Sequence, residues 1–207
     1  LQTPITIRFG DVEQEVVLHH QNRIHYLSLK PHFDNTVISV ESSVAPLAIG
    51  KPLSVQSTSS TQSKPLIVHI FIDALPQCIF DEFGFSIMPN LYNYFNTSGT
   101  IYRNCYSQSE WTLSSLAVTL TGKYTKDHLI YHPRRYDKIS DVTVPFVLNQ
   151  NGFKTFAVSN VPKLTPLQGF DKGFERFVVA KDKNVEYILN EVKEQINTFG
   201  SQQYIFI

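Results

Sequence analysis

The chain has 207 residues, 42% of them hydrophobic, which suffices for one large or two modest domains with a real core. Eighteen Lys and Arg balance eighteen Asp and Glu, so no basic field points to nucleic acid or an anionic membrane as a partner. Cys78 and Cys105 are too few for a disulfide framework and lack the paired spacing of a zinc site; they read as small buried hydrophobes, with a single disulfide as the alternative. No apolar run approaches the roughly 18 residues of a membrane span, and LQTPITIRFG lacks the charged start and apolar core of a signal peptide.

Residues 1–53 predict strands: ITIRF with Ile5, Ile7 and Phe9 alternating, QEVVLHH, RIHYLSL with Ile24 and Tyr26 in phase, and TVISVE. Gly10-Asp11, Gln21-Asn22 and Asp34-Asn35 supply turns between them, which together give a small antiparallel β module of the sandwich type. His19, His20 and His25 read as solvated, because strand neighbours face opposite sides and no Cys or carboxylate stands at ligand spacing. Residues 54–64, SVQSTSSTQSK, cannot bury a face and read as a linker, so a domain boundary falls there.

Beyond the linker, PLIVHIFIDALP is a nearly continuous apolar strand, the pattern of a central strand covered on both faces. It ends in Asp73. A carboxylate at the carboxyl end of a buried strand lies where open α/β sheets place their ligands, although a plain turn or N-cap aspartate has the same look. A helix follows with Met88, Leu91, Tyr94 and Phe95 on one face, then a strand from about Thr100 to Tyr106.

The most informative stretch runs from Ser109 to His128. Leu113, Leu116, Ala117, Val118 and Leu120 have the spacing of a buried helix, and Gly122 stands where a C-terminal cap belongs, so a helix is expected over about 112–121. Thr112 then offers a hydroxyl at the helix start, where unpaired N–H groups and roughly half a positive charge suit a phosphate or sulfate. A free threonine hydroxyl is a poor nucleophile at neutral pH, so an adjacent base or a metal ion must activate it. Taken alone, Thr112 fits an ordinary N-cap equally well. Lys123 and His128 are the next polar candidates, each with simple solvation as the alternative.

Next, TVPFVLNQNGFKTFAVSN predicts a helix closed by Gly152 and a buried strand, FKTFAVS. In GFDKGFERF, Phe170, Phe174 and Phe177 read as core. KNVEYILNEVKEQINTFG is an amphipathic helix with Val185, Ile188, Leu189, Val192, Ile196 and Phe199 on one side, and QQYIFI begins another buried strand.

From about Pro65 to Ile207 these landmarks resemble the sulfatase-like branch of the alkaline phosphatase superfamily. An apolar strand closing in Asp73, Pro89-Asn90-Leu91, Asn104-Cys105-Tyr106, and Thr112 to Leu116 followed by Thr121-Gly122 match its early motifs. Thr143, Leu148, Gly152, Phe153 and Thr155 match a later one, as does the run from Gly169 to Phe177. The resemblance implies an α/β fold with a central sheet and helices on both faces, preceded by the small antiparallel β module. It assigns Asp73 and Thr112 to a divalent metal, Zn, Mn or Mg, makes Thr112 the catalytic nucleophile, and lets Lys123 and His128 contact the substrate's anionic group.

Sulfatases of the family oxidise a Cys or Ser to formylglycine and hold it with an Arg, whereas this chain has Thr112 and Leu116 at those positions. It is more similar to the threonine-nucleophile members, which act on phosphate mono- and diesters or transfer phosphoglycerol and phosphoethanolamine groups. Ala74 stands where many members have a second Asp, Thr125 where they have Pro, and Leu129 where they have Gly. A sulfate ester hydrolase, or a non-catalytic glycan-binding protein on the same fold, are the other readings. The implied substrates are phosphorylated or sulfated glycans or lipids, and the implied location is extracytoplasmic, periplasmic or membrane-anchored. The family's remaining metal ligands follow the strand that corresponds to QYIFI. Residues 65–207 are therefore expected to be the N-terminal part of a catalytic domain, completed by a further segment or a separate chain. Alone, the 207 residues are expected to be inactive and to expose a hydrophobic sheet edge.

Overall fold

The computed structural model describes residues 3–18, 37–44, 46–50, 65–131, 138–162, 164–199 and 202–207. The chain divides into two compact units, Leu1–Leu53 and Ser54–Ile207. His19, His20, His25, the expected strand RIHYLSL and the linker 54–64 lie outside the described residues.

In the first unit, β1 (Thr3–Phe9), β2 (Val12–Leu18) and β3 (Ile38–Glu41) form one antiparallel sheet in the order β2-β1-β3. Thr3, Ile5 and Ile7 are buried, as the alternation in ITIRF requires. Gly10-Asp11 joins β1 to β2 with Phe9 opposite Val12, and Gly10 has a φ of 57°, the left-handed backbone a two-residue hairpin needs. Arg8 bridges Glu13 on β2 at 2.7 Å and Glu41 on β3 at 2.8 Å; these exposed pairs help set register more than stability. Where a sandwich was expected, the described residues show this single sheet.

The second unit contains β4 (Leu66–His69), α1 (Gln77–Phe83), a 3-10 turn (Gly84–Ile87) and α2 (Pro89–Ser98). After these come α3 (Thr112–Thr121), α4 (Thr125–His128), α5 (Val144–Gln150), β5 (Lys154–Ser159), β6 (Arg176–Val179), α6 (Val185–Thr198) and β7 (Gln203–Phe206). The four strands are parallel, in the order β4-β7-β5-β6, with helices on both faces. Residue parity splits the core between the two faces. Ala157, Phe177, Tyr204 and Phe206 pack with Leu113, Leu116, Ala117 and Leu120 of α3, while Phe156, Val158 and Ile205 pack with Ile188 and Val192 of α6. Each fully buried Phe, Ile or Leu among them contributes about 1.5–3 kcal/mol. No helix among the described residues is long and apolar enough to cross a membrane.

The two glycines of GFDKG are set by close backbone approach. A Cβ on Gly173 would lie 2.1 Å from the Phe146 nitrogen and 2.4 Å from its Cα, and Gly173 has a φ of 90°. Gly169, at φ 77°, lies less tightly against Ile139, whose carbonyl oxygen would be 3.1 Å from an added Cβ. The turn they form is pinned from both sides. Thr155 donates to the Gly173 carbonyl at 2.8 Å, and Thr143, the N-cap of α5, donates to the Lys172 carbonyl at 2.7 Å. Phe170 and Phe177 are buried and Phe174 packs beside them, so the three phenylalanines are core.

Several expectations fail between residues 65 and 111. β4 is an edge strand among those described, not a central one. Its odd-numbered side chains face the α3 side, where Phe71 joins the core, but Leu66, Val68, Ile70 and Ile72 stay 48%, 41%, 50% and 47% exposed. An apolar run reports that both faces avoid water; it does not report what covers them. No strand forms over 100–106, where Tyr102 and Tyr106 are exposed. Leu91, Tyr94 and Phe95 of α2 are exposed as well, and α1 had no clear periodic signal. Cys78 and Cys105 are exposed free thiols rather than buried hydrophobes. In α6 the buried line is Ile188, Val192 and Gln195, with Val185 and Leu189 exposed. The half-buried Arg176–Glu191 pair, 2.6 Å, and the Arg176 guanidinium over Phe156 draw that helix onto β6 and β5.

Three outcomes follow from this packing. Gly173→Ala should lower the unfolding free energy by about 3 kcal/mol in urea titration, because the Phe146 backbone cannot yield. The 207-residue chain produced by itself should self-associate through the edge of β4 that no described strand pairs, and Val68→Lys should shift it toward monomer in light scattering. The third outcome concerns pH. Burial pushes the Tyr204 hydroxyl up to about 12 from 10.0 and pushes His69, 3.2 Å from it, and His128 below 6.5. The unfolded chain releases the tyrosine proton above pH 10 and protonates the histidines below pH 6.5, while the fold resists both. Stability should therefore be highest in the interval between, falling on the alkaline side as pH rises toward about 12 and on the acid side below 6.5, with Tyr204→Phe reducing the alkaline loss, to which Tyr187, also pushed up by burial, contributes.

Candidate active site

Parallel strands deliver their carboxyl ends to one edge of the sheet, and the segment after β4 ends there in Asp73. The Phe71 N–H donates to the Ile207 carbonyl at 2.7 Å, so pairing with the β7 side continues past the strand proper. Odd parity puts Asp73 on the side of His69 and Phe71, the side that α3 covers. Ala74 then turns the chain with a φ of 55°.

The apolar residues of α3 hold it against the same face, and Gly122 closes it in the left-handed conformation with its N–H on the Val118 carbonyl. The helix spans the expected residues. Its N-cap is Trp111, whose side chain makes no capping hydrogen bond, so Thr112 is the first helical residue rather than the cap. The first helical bond runs from the Ser115 N–H to the Trp111 carbonyl, 2.9 Å, which leaves the N–H groups of Thr112, Leu113 and Ser114 ahead of it at the positive end of the helix.

The Thr112 hydroxyl donates to the Asp73 carboxylate at 3.0 Å, across 39 residues of chain. Asp73 is exposed and Thr112 is half-buried. The strand end and the helix start thus bring together the two residues singled out from opposite ends of the pattern. The approach to Thr112 is stiffened by hydroxyls that the sequence did not single out. Ser107 and Ser115 both donate to the Ser109 carbonyl, at 2.6 and 2.9 Å, and their own oxygens are 2.9 Å apart. A serine-rich loop before a helix was their only signal.

Lys123 and His128 make their contacts elsewhere. The Lys123 ammonium is ion-paired with Asp141, a partner 18 residues away with no local signal in the sequence. His128 is 5% exposed; its Nδ1 accepts from the Ile130 N–H at 3.0 Å, which places the proton of the neutral ring on Nε2. Burial lowers its pKa, only partly opposed by the nearby charge of Asp141. Helix α4, which ends in His128, is tied to the first turn of α3 through Ser114 and Thr125, whose hydroxyls are 3.1 Å apart.

A carboxylate and a hydroxyl are hard oxygen donors, which suit Mg, Mn or Zn. Asp73 and Thr112 can therefore serve as part of a donor set. Among the described residues no three His, Cys, Asp or Glu side chains gather to complete one. Residues 65–205, more than half of the chain, match the family model described as Sulfatase. No curated protein and no solved structure matches. With its parallel sheet, its helices on both faces and this match, the chain belongs to the sulfatase family and carries an enzyme domain of the sulfatase and alkaline phosphatase superfamily.

Proposed function

We propose that the protein is a metal-dependent hydrolase or transferase of phosphate esters, with Thr112 as its nucleophile. The contact between the Thr112 hydroxyl and Asp73, 3.0 Å, carries this reading. With its hydrogen directed at the carboxylate, the hydroxyl oxygen keeps its lone pairs free for an electrophile approaching from the exposed side. The N–H groups at the start of α3 meet the nonbridging oxygens of a phosphate placed there, and the positive end of the helix opposes their charge.

Asp73 and Thr112 would hold the divalent ion, Zn, Mn or Mg; when bound, it would lower the pKa of the hydroxyl and neutralise charge on the phosphate. The threonine hydroxyl gives up its proton as its oxygen forms a bond to phosphorus and the bond to the leaving alcohol breaks, and that alcohol departs with the electron pair and takes up a proton. Water or an acceptor alcohol then attacks the phosphothreonine, which distinguishes hydrolysis from group transfer. Lys123 reaches the anionic group by exchanging Asp141 for it. Phosphodiesters and phosphoglycerol or phosphoethanolamine groups on glycans or lipids are the proposed substrates.

Sulfate ester chemistry of the formylglycine type fits less well. Position 112 carries a secondary hydroxyl instead of Cys or Ser. Position 116 carries a leucine buried to 0% exposure in the core, where the sulfatases have the Arg that holds the aldehyde.

Turnover of aryl phosphodiester, phosphomonoester and sulfate substrates by the full-length protein, with added Zn, Mn or Mg, tests the proposal. Phosphate ester turnover should be lost by roughly a thousandfold or more in Thr112→Ala and by roughly a hundredfold or more in Asp73→Ala. A Thr112→Ala protein that still turns over phosphate esters would exclude the threonine. Turnover confined to the sulfate ester would move the activity to the sulfatase reading.

A further inference from the structure

Among the described residues, three non-glycine residues have left-handed backbone, Ala74, Leu129 and Asp182. Two have ordinary reasons. Leu129 closes α4 as its C-cap, and Asp182 has a short polar side chain of the kind that tolerates this conformation. Ala74 has neither: it follows a strand, not a helix, and it carries no polar group. A strained residue of this kind persists only where its surroundings over-determine it.

Its position supplies the reason. In a continuing strand residue 75 would fall on the same face as Asp73, two places along and over the carboxylate. With Ala74 at φ 55° the chain instead leaves the line of β4 and passes through Leu75 and Pro76 into α1. Asp73 is left exposed at the sheet's end, with its carboxylate against the Thr112 hydroxyl. We infer that Ala74 is a positioning residue, whose left-handed turn uncovers Asp73 and aims it at Thr112. The inference rests on the assignment of Thr112 and Asp73 to the active site.

Two substitutions separate the backbone's role from general stability. Ala74→Gly keeps the left-handed turn without strain, and Ala74→Val, β-branched, drives the residue toward extended backbone. A double-mutant cycle between Asp73→Ala and Thr112→Val, read by chemical denaturation, should show a coupling in the parent and in Ala74→Gly, and none in Ala74→Val. The kcat for a phosphodiester should fall about tenfold or more in Ala74→Val while KM moves less than about threefold, and Ala74→Gly should stay within about threefold of the parent. A coupling and a kcat that survive in Ala74→Val would overturn the inference. If Ala74→Val does not fold, Ala74→Gly still decides: the coupling and the kcat should survive in it, and the loss of either would overturn the inference. Thr112→Ala with undiminished turnover would sink the nucleophile assignment instead, and the coupling, which needs no turnover, would still report on the positioning.

Discussion

The constraint on which the site depends is the parallel pairing of β4 with β7. Parallel pairing sends both strands toward one edge of the sheet, and it fixes which face each side chain takes. Because Ile67 pairs with Tyr204 and His69 with Phe206, odd-numbered residues of the β4 segment share a face with the aromatic side chains of β7. That face is the bed of α3. A one-residue slip of β4 would turn Asp73 to the opposite face and leave the Thr112 hydroxyl without its carboxylate. The hydrogen bond between them is therefore a consequence of strand register and helix packing, neither of which involves the two residues themselves.

Local pattern made much of this legible. The bounds of α3 could be read because an apolar stripe, a hydroxyl at one end and a glycine at the other all agree, and the structure closes the helix on Gly122 as that pattern requires. Helix α5 and the strand after Gly152 were readable for the same reason. The meeting of Asp73 with Thr112 was not a local property: it came into view only through the resemblance to a known family. What could not be read depended on neighbours. The apolar run of β4 predicts two dry faces, and Leu66, Val68, Ile70 and Ile72 remain largely wet because nothing among the described residues covers them. The cysteines were misjudged on the same ground, since small apolar character does not decide whether a loop is buried.

The turn before β6 shows the opposite case, where sequence carries a tertiary constraint that becomes intelligible only in three dimensions. Gly169 and Gly173 look like punctuation in a phenylalanine-rich run. Each is instead a point at which two backbones touch, Gly169 on Ile139 and Gly173 on Phe146. Thr155 and Thr143 then reach the same turn from a strand and from a helix start. These contacts place α5 beside α3 on the sheet, and so support the helix that carries the nucleophile candidate without approaching its chemistry.

The two halves of the candidate site stand on unequal foundations. Thr112 begins a helix whose Leu113, Leu116, Ala117 and Leu120 are buried against β7 and β6, within the most densely packed part of the unit. Asp73 ends a strand paired on one side only among the described residues, with one face bare and α1 and α2 beyond it exposed. Opening free energies track buried apolar contact, so β4 belongs to the less protected end of the scale and α3 to the more protected end. The distance between carboxylate and hydroxyl is thus set by the weaker element moving against the stronger. Anything that binds the bare face or edge of β4 would act on the site through Asp73, while the hydroxyl stayed where the core holds it.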